Sequence, residues 1–193
     1  MPSRSSDPFG ESLDAAVRRI VSAVHAVGTP NPVVVIDGRS GAGKSTLARR
    51  VAESWPLMAP AQLVALDSFY PGWDGLAEGG RIAFEDVLRP HSRGELGVWN
   101  RWDWEHGIAA EEHTVDPALG LIVEGCGALT RDAAAVAGVR VWADGPAEGR
   151  KHRALERDGD GFRPHWERWA AQEDAHIRVH DPVSSATIVV TVP

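Results

Sequence analysis

One eight-residue segment constrains the fold of this chain more than any other, and it reads Gly38-Arg39-Ser40-Gly41-Ala42-Gly43-Lys44-Ser45. It has the G-x-x-x-x-G-K-S pattern of a phosphate-binding loop. That pattern is informative only between a strand and a helix, and both flanks fit: residues 33–36 are an apolar run, and residues 46–52 have helical spacing. We therefore expect a strand–loop–helix unit that binds phosphate groups.

The residues of this loop have separate expected roles. The glycines let the backbone curl so that its N–H groups face one concavity, and the start of the following helix adds partial positive charge. Lys44 is expected to reach the β- and γ-phosphates, and the Ser45 hydroxyl to ligate Mg²⁺, so ATP and Mg²⁺ are the expected cofactors. The expected nucleotide-binding residues are Gly38, Arg39, Ser40, Gly41, Ala42, Gly43, Lys44, Ser45 and Thr46.

Length and charge limit the classes of protein to consider. The 193 residues fit one compact domain, which we expect over residues 12–193 after a flexible N-terminal arm at 1–11. The net charge of −7 disfavours a nucleic-acid-binding role. The lone Cys126 is compatible with a reducing compartment, and no segment has the ~20 apolar residues of a membrane helix. We expect a cytoplasmic protein whose partner is a small-molecule acceptor, not nucleic acid or membrane, and leave homo-oligomer formation open.

Apolar runs along the chain predict a parallel sheet. Strands are expected near 33–36, 62–66, 120–124, 139–142 and 186–191, and several of these runs are continuous rather than alternating, as in parallel strands covered on both faces. Helical segments lie between most of them. The expected fold is α/β, a three-layer P-loop NTPase fold with a mainly parallel sheet of about five strands and a helical lid. The stretch 69–117 has weak periodicity and is expected to be an acceptor-binding excursion.

Two acidic residues follow predicted strands at the edge where parallel sheets bind ligands. Asp67 comes after strand 62–66, and Glu124 ends strand 120–124. A carboxylate at this edge can hold Mg²⁺ or accept a proton from an attacking hydroxyl. The expected metal ligands are therefore Ser45, Asp67 and Glu124. Capping of the following turn is the alternative role for each acid.

Three arginines share one face of a predicted helix. Arg150, Arg153 and Arg157 have i, i+3, i+7 spacing, and like charges so placed repel unless an anion lies against them. We predict a lid over residues 145–165 that brings these arginines to a transferring phosphoryl group. The alternative is a solvated helix face, with the charges balanced by Glu148, Glu156 and Asp158.

Several short motifs then line up with one family. In chain order they are Asp37-Gly38-Arg39-Ser40-Gly41-Ala42-Gly43-Lys44-Ser45-Thr46, Asp67-Ser68-Phe69-Tyr70, Leu121-Ile122-Val123-Glu124-Gly125 and Arg150-x-x-Arg153-x-x-x-Arg157-Asp158. Together they resemble the uridine kinase and phosphoribulokinase family of P-loop kinases, over roughly residues 30–180. The resemblance implies that Asp67 is the catalytic base and that Glu124 has the Walker B position. With Lys44 and the three arginines of the lid, Asp67 completes the expected catalytic set.

The acceptor site is expected in the Trp-rich part of the excursion. The segment Trp102-Asp103-Trp104-Glu105-His106 resembles the Tyr-Asp-Phe segment with which the family contacts a nucleoside. The chain departs from the family in lacking an Asp-His-Pro-x-Ala-x-Asp segment after Tyr70. The expected substrate-binding residues are Tyr70, Trp102, Asp103, Trp104 and His106. A hydrophobic cluster that anchors the excursion is the alternative for the tryptophans.

These features together predict an ATP-dependent small-molecule kinase. It would move the γ-phosphoryl group to a hydroxyl acceptor, a nucleoside or a similar metabolite. Two alternatives stay open. One is a nucleoside monophosphate kinase, and the other is an ATP-binding regulatory module without turnover. In the first alternative an acceptor phosphate would be held by Arg81, Arg89, Arg93 or Arg101.

Overall fold

The structure is a computed structural model that describes residues 7–193. The strands are β1 (Val33–Gly38), β2 (Ala61–Ala65), β3 (Gly97–Asp103), β4 (Ile108–Val115), β5 (Gly120–Glu124), β6 (Val139–Asp144) and β7 (Ile188–Thr191). The helices are α1 (Pro8–Val27), α2 (Lys44–Glu53), α3 (Leu76–Ile82), α4 (Arg89–Ser92), α5 (Arg131–Val136), α6 (Ala147–Phe162), α7 (Trp166–His180) and α8 (Pro182–Ser185). Among residues 7–193, none of the helices combines the length and the apolar character that crossing a membrane requires.

The main sheet has five parallel strands in the order β2-β5-β1-β6-β7, so the strand before the phosphate-binding loop is central. Val35 of β1 lies opposite Val123 of β5 on one side and Arg140 of β6 on the other. The predicted α/β fold and the five predicted strands are confirmed. The end of β2 differs from its prediction by one residue, because Leu66 already belongs to a short 3₁₀ turn, Leu66–Ser68.

Helices cover both faces of this sheet, which gives three layers. Successive side chains of a strand point to opposite faces, so alternate valines of β1 enter different cores. Val34 packs in one core with Leu13 of α1 and Leu47 of α2. Val35 packs in the other core with residues of the excursion and with Trp169 of α7. Burial on both faces explains why β1 is a continuous apolar run.

The first helix begins earlier than the sequence predicted. The sequence predicts a flexible arm over residues 1–11, but α1 starts at Pro8 and buries Leu13 and Ile20 completely. Proline is well suited to the first turn of a helix, because the N–H that it lacks has no intrahelical acceptor there. The N-terminal turns of α1 also pack against the loop, since Phe9 approaches Gly43. Residues 1–6 of the predicted arm lie outside the described residues.

The excursion at 69–117 is largely regular structure. It contains α3, α4, a π-helical segment (Ala83–Leu88) between them, and an antiparallel hairpin of β3 and β4. Trp99 on β3 stacks on His113 with ring centroids 4.5 Å apart and lies 5.1 Å from the ring of Phe69. Trp99 therefore belongs to a hydrophobic cluster that anchors the excursion.

Candidate active site

A cavity of about 370 Å³ opens at the carboxyl ends of β2 and β5, beside the loop that follows β1. This is the edge at which parallel α/β sheets bind ligands. Many of the predicted site residues contribute to its wall, although they come from distant parts of the sequence. Those that do so are Ser40, Gly41, Gly43, Lys44, Ser45, Thr46, Asp67, Tyr70, Trp104, Glu124 and Arg157.

The conformation of the phosphate-binding loop requires glycine. Gly41 and Gly43 have φ angles of 77° and 84°, in the left-handed region that other residues rarely adopt. A Cβ atom on Gly41 would lie only 2.0 Å from the carbonyl oxygen of Arg150. Gly43 is the N-cap of α2, so the free N–H groups at the start of that helix are directed at the cavity edge. The loop therefore has the shape of an anion cradle.

Lys44 lies in the cavity wall with its side chain buried. Its Nζ donates hydrogen bonds to the carbonyl oxygen of Arg39 at 3.1 Å and to Sγ of Cys126 at 3.2 Å. Burial acts to lower the pKa of Lys44, but the neighbouring Cys126, Glu124 and Glu173 outweigh it and raise the pKa above its usual value. The ammonium is therefore charged at neutral pH and available to an anion in the cavity.

Glu173 of α7 holds the phosphate-binding loop in place, a contact that the sequence did not predict. Its Oε1 accepts hydrogen bonds from the backbone N–H of Ser40 at 2.8 Å and from the Ser40 hydroxyl at 2.7 Å. Burial raises the pKa of the Cys126 thiol to about 12, so the thiol is protonated and donates to the same oxygen at 3.3 Å. Glu173 lies one turn after the buried Trp169, on the buried face of α7. Acidic residues are rarely buried without a partner, so an acid at this helical spacing was the sequence feature that could have indicated its role.

Asp37, the last residue before the loop glycine, fixes the loop from the other side. Its carboxylate accepts hydrogen bonds from the backbone N–H groups of Gly38 at 2.6 Å, Gly127 at 2.9 Å and Leu129 at 2.8 Å. Nε2 of His176, which is also on α7, lies 2.8 Å from the second carboxylate oxygen. Helix α7 thus supplies two buried side chains, Glu173 and His176, that fix the loop relative to the sheet.

The two strand-end acids lie in the cavity wall in different environments. Glu124 is buried at the end of β5, beside β1 in register with Ile36, whereas Asp67 is exposed to the cavity from the 3₁₀ turn after β2. Burial raises the pKa of Glu124. The positive charge of Lys44 opposes this rise, and the negative charge of the nearby Asp67 adds to it. The backbone oxygen of Asp67 accepts a hydrogen bond from Nε1 of Trp104 at 3.2 Å, which ties the hairpin to this turn.

The raised pKa of Glu124 predicts that Glu124→Gln stabilises the fold at neutral pH. The folded protein binds the Glu124 proton more tightly than the unfolded chain does. Ionisation of Glu124 therefore lowers the free energy of unfolding as pH rises from the pKa of Glu124 in the unfolded chain to its pKa in the folded protein. The melting temperature of the variant should exceed that of wild type at neutral pH, by about 2–4 °C for each ~1 kcal/mol. The difference should vanish at acidic pH, where both states are protonated.

Thermal unfolding of both proteins across this pH range measures the effect, with Glu148→Gln on the exposed start of α6 as the control. A lower melting temperature for Glu124→Gln at neutral pH would contradict the prediction, because it would mean that attraction to Lys44 outweighs the burial of the carboxylate.

Two of the three lid arginines contact the loop, and the third lines the cavity. Nη1 of Arg150 donates to the carbonyl oxygen of Ser40 at 3.2 Å, and Nε of Arg153 donates to that of Gly41 at 2.9 Å. The side chain of Arg157 lines the cavity, where it is paired with Asp158 at 2.7 Å. This corrects the predicted positions: one helix face carries all three arginines, but its first two turns pack against the backbone of the loop.

The predicted acceptor residues also separate in space. Trp102, Asp103 and His106 belong to the hairpin and lie outside the cavity wall. Oδ1 of Asp103 accepts hydrogen bonds from the backbone N–H groups of Glu105 at 2.9 Å and His106 at 3.0 Å, and Nδ1 of His106 lies 3.0 Å from Oδ2. In this structure Asp103 therefore caps the hairpin turn, as Asp commonly does. Trp104 does line the cavity.

Three aromatic residues of the wall had no predicted place in the site. Trp73 follows the Asp67 turn, Phe162 ends α6, and Trp169 lies on α7. With Tyr70 and Trp104 they form the aromatic part of the cavity wall. The hydroxyl of Tyr70 donates to the carbonyl oxygen of Cys126 at 2.7 Å, which fixes this ring.

Comparison with known proteins bears on the fold. No protein-family model matches this chain, and no curated protein sequence is similar to it. Among solved structures, the chain is similar to a possible uridine kinase from Bacillus stearothermophilus, with a TM-score of 0.64 and 16% sequence identity over 92% of this chain and 98% of that one. It is also similar to a protein assigned as a fructose transport system kinase from Silicibacter sp. TM1040, with a TM-score of 0.55 and 20% identity over the same shares.

The chain has the fold of the P-loop kinases. The alignments extend over 92% of its length, so the similarity reaches well beyond the loop. The resemblance to uridine kinase-like proteins that the motifs indicated is confirmed at the level of the fold.

Proposed function

We propose that this chain is an ATP-dependent small-molecule kinase. The observation that carries the proposal is the convergence of Lys44, Ser45, Asp67 and Glu124 on one cavity at the mouth of a glycine-built anion cradle. A charged amine, a hydroxyl and two carboxylates are the groups that phosphoryl transfer needs for holding phosphates, holding a metal and taking up a proton. The fold of the P-loop kinases supports the same assignment.

The residues fit both expected cofactors. The free N–H groups of the loop and the Lys44 ammonium would hold the phosphates of ATP. Ser45 and Glu124, with Asp67 nearby, offer the oxygen ligands that Mg²⁺ prefers, and Mg²⁺ commonly takes one or two carboxylates together with phosphate oxygens. When bound, the metal would neutralise charge on the phosphates. Asp67 would orient the acceptor hydroxyl and accept its proton.

The cavity wall favours an acceptor without a phosphate group over the nucleoside monophosphate alternative. Among residues 7–193, the basic side chains in the wall are Lys44, at the loop, and Arg157, which is paired with Asp158. The arginines proposed to hold an acceptor phosphate lie outside the wall, and three of them are paired: Arg81 with Glu78, Arg89 with Glu85 and Arg101 with Glu111. An anionic acceptor would therefore find no cation among the described residues of the wall beyond Lys44 and the paired Arg157.

Release of ADP from ATP across a panel of alcohols tests the proposal. The panel should contain nucleosides, sugars, vitamins and amino alcohols, with a nucleoside monophosphate set beside them, and each product should be identified by mass spectrometry. We expect acceptor-dependent ADP release with at least one alcohol. ATP binding without any turnover across the panel would favour the regulatory module instead.

The lid should become more protected when nucleotide binds. Helix α6 contains Gly159 with a φ of 58°, which breaks the helix between the Arg157–Asp158 pair in the cavity wall and the end at Phe162. A short stretch of this kind can act as a hinge. We expect slower amide hydrogen exchange over residues 145–165 with a non-hydrolysable Mg·ATP analogue, and slower still with acceptor. Equal exchange in the free and bound protein would indicate a static helix.

A further inference from the structure

One part of the cavity wall is a box of aromatic rings. Tyr70, Trp73, Trp104, Phe162 and Trp169 line it, and they come from the turn after β2, the hairpin, α6 and α7. None of these side chains is needed to hold phosphates. Their convergence from four separate segments indicates that the acceptor end of the cavity is built to contact a particular kind of chemical group.

The angles between the rings show what shape of group fits. Trp73 and Trp104 are tilted by 53° with centroids 5.0 Å apart, and Trp73 meets Trp169 edge-on at 88° and 6.2 Å. Tyr70 meets Trp169 at 75° and 4.8 Å. These separations are those of rings in tilted or edge-to-face contact. At such angles the rings cannot present two parallel faces to one group, as a flat base requires, so their exposed faces suit a rounded group better.

The parallel ring pairs in this region leave no slot for a flat base. Trp73 is nearly parallel to Phe162 at 14° and to His165 at 13°, but the centroid separations are only 5.6 Å and 4.2 Å. A ring inserted between two others needs two contact distances of about 3.5 Å each. These pairs are therefore already stacked on one another, and they support the box without forming a sandwich around a base.

The charges at the box favour a cation. Asp67 and Asp158 contribute carboxylates to the wall; Asp158 is paired with Arg157, while Asp67 makes no ion pair within residues 7–193. The indole of Trp104 is held against the Asp67 turn by its hydrogen bond to the Asp67 carbonyl oxygen at 3.2 Å. A positive group in the box would therefore meet the electron-rich faces of aromatic rings and the exposed Asp67 carboxylate. Over residues 7–193, the cations of the wall are Lys44, at the loop, and Arg157, which is paired with Asp158.

We propose, on the basis of the kinase function proposed above, that the acceptor is an alcohol with a compact organic cation, a quaternary ammonium or a protonated amine. The cation would lie in this aromatic box, with the hydroxyl beside Asp67. In the transfer, the acceptor O–H bond breaks and its proton passes to the Asp67 carboxylate. The acceptor oxygen forms a bond to the γ-phosphorus as the bond from that phosphorus to the β–γ bridging oxygen breaks, which gives ADP and a phosphate monoester.

Binding of three small probes to the nucleotide-free protein tests this inference. The probes are choline, tetramethylammonium, and the neutral carbon isostere of choline, in which a tert-butyl group replaces the trimethylammonium group. Titrations followed by tryptophan fluorescence and by calorimetry should give saturable binding of both cations. The neutral isostere should bind at least about tenfold more weakly, because it has the same shape but lacks the charge.

Variants of two neighbouring tryptophans locate the site. Trp104→Leu should weaken choline binding by about tenfold, and Trp104→Phe, which keeps an aromatic ring, should retain most of the affinity. Trp102→Leu is the matched control, because Trp102 lies on the same hairpin but outside the cavity wall. Melting temperatures of all variants confirm that they are folded.

Two results would overturn the inference: equal or tighter binding of the neutral isostere, or the absence of saturable binding of either cation to the folded wild-type protein. Calorimetry with Mg·ATP separates this inference from the proposed function. Normal ATP binding without cation binding would contradict only the acceptor class, whereas cation binding without ATP binding would contradict the kinase assignment.

Discussion

Lys44→Ala should reduce turnover by about 10³-fold or more while the protein stays folded. The Lys44 ammonium is charged, lies in the cavity wall and is held in place by hydrogen bonds to the Arg39 carbonyl oxygen and to Cys126. The substitution would remove a positive charge from the side of the cavity where negative charge moves during phosphoryl transfer. Alanine removes that charge without changing the glycine geometry of the loop.

Steady-state kinetics with the acceptor found in the alcohol panel measure this effect, and thermal unfolding confirms the fold. Lys151→Ala is the matched control, because the Lys151 side chain is half-exposed, pairs with Glu167 at 2.9 Å and lies outside the cavity wall. Wild-type activity in the Lys44→Ala variant would remove Lys44 from the mechanism.

Asp67→Asn should lower kcat by at least about 10²-fold with ATP affinity nearly unchanged. Asp67 is the cavity acid that is exposed and free of an ion pair within residues 7–193, whereas Glu124 is buried against Lys44 and Ser45. An exposed carboxylate can reach an acceptor hydroxyl and accept its proton. Asparagine keeps the size of the side chain but removes the charge and the basicity.

The kcat of Asp67→Asn and its calorimetric affinity for Mg·ATP should be measured together, with Asp132→Asn on the exposed start of α5 as the control. Loss of ATP affinity would assign Asp67 mainly to the metal. Unchanged kcat would contradict its role as base and leave Glu124 as the stronger candidate.

The sequence predicted the parts of the site that depend on local structure. The strand, the loop and the helix from β1 to α2 follow from apolar runs and from glycines at fixed offsets, and the structure has them in that order. Asp67 and Glu124 could be placed because the ends of parallel strands meet at one edge of a sheet, so strand position alone brought them to the cavity.

The parts that depend on packing between distant segments could not be predicted. Glu173 and His176 contact the loop because α7 docks over it, and no local pattern encodes that docking. Trp73 and Trp169 enter the wall for the same reason. For Asp103 the sequence pointed to a role that the structure does not show. The motif resemblance favoured substrate binding, but the Asp103 carboxylate accepts hydrogen bonds within its own turn.

Calorimetric titration of the wild-type protein with Mg·ATP tests the central claim most directly, because the claim is that the glycine-built loop at residues 38–46 holds the nucleotide phosphates. The proposed function predicts saturable binding at one site per chain, and a marked loss of affinity in Lys44→Ala at an unchanged melting temperature. No binding to the folded wild-type protein, or equal affinity in the two proteins, would contradict it.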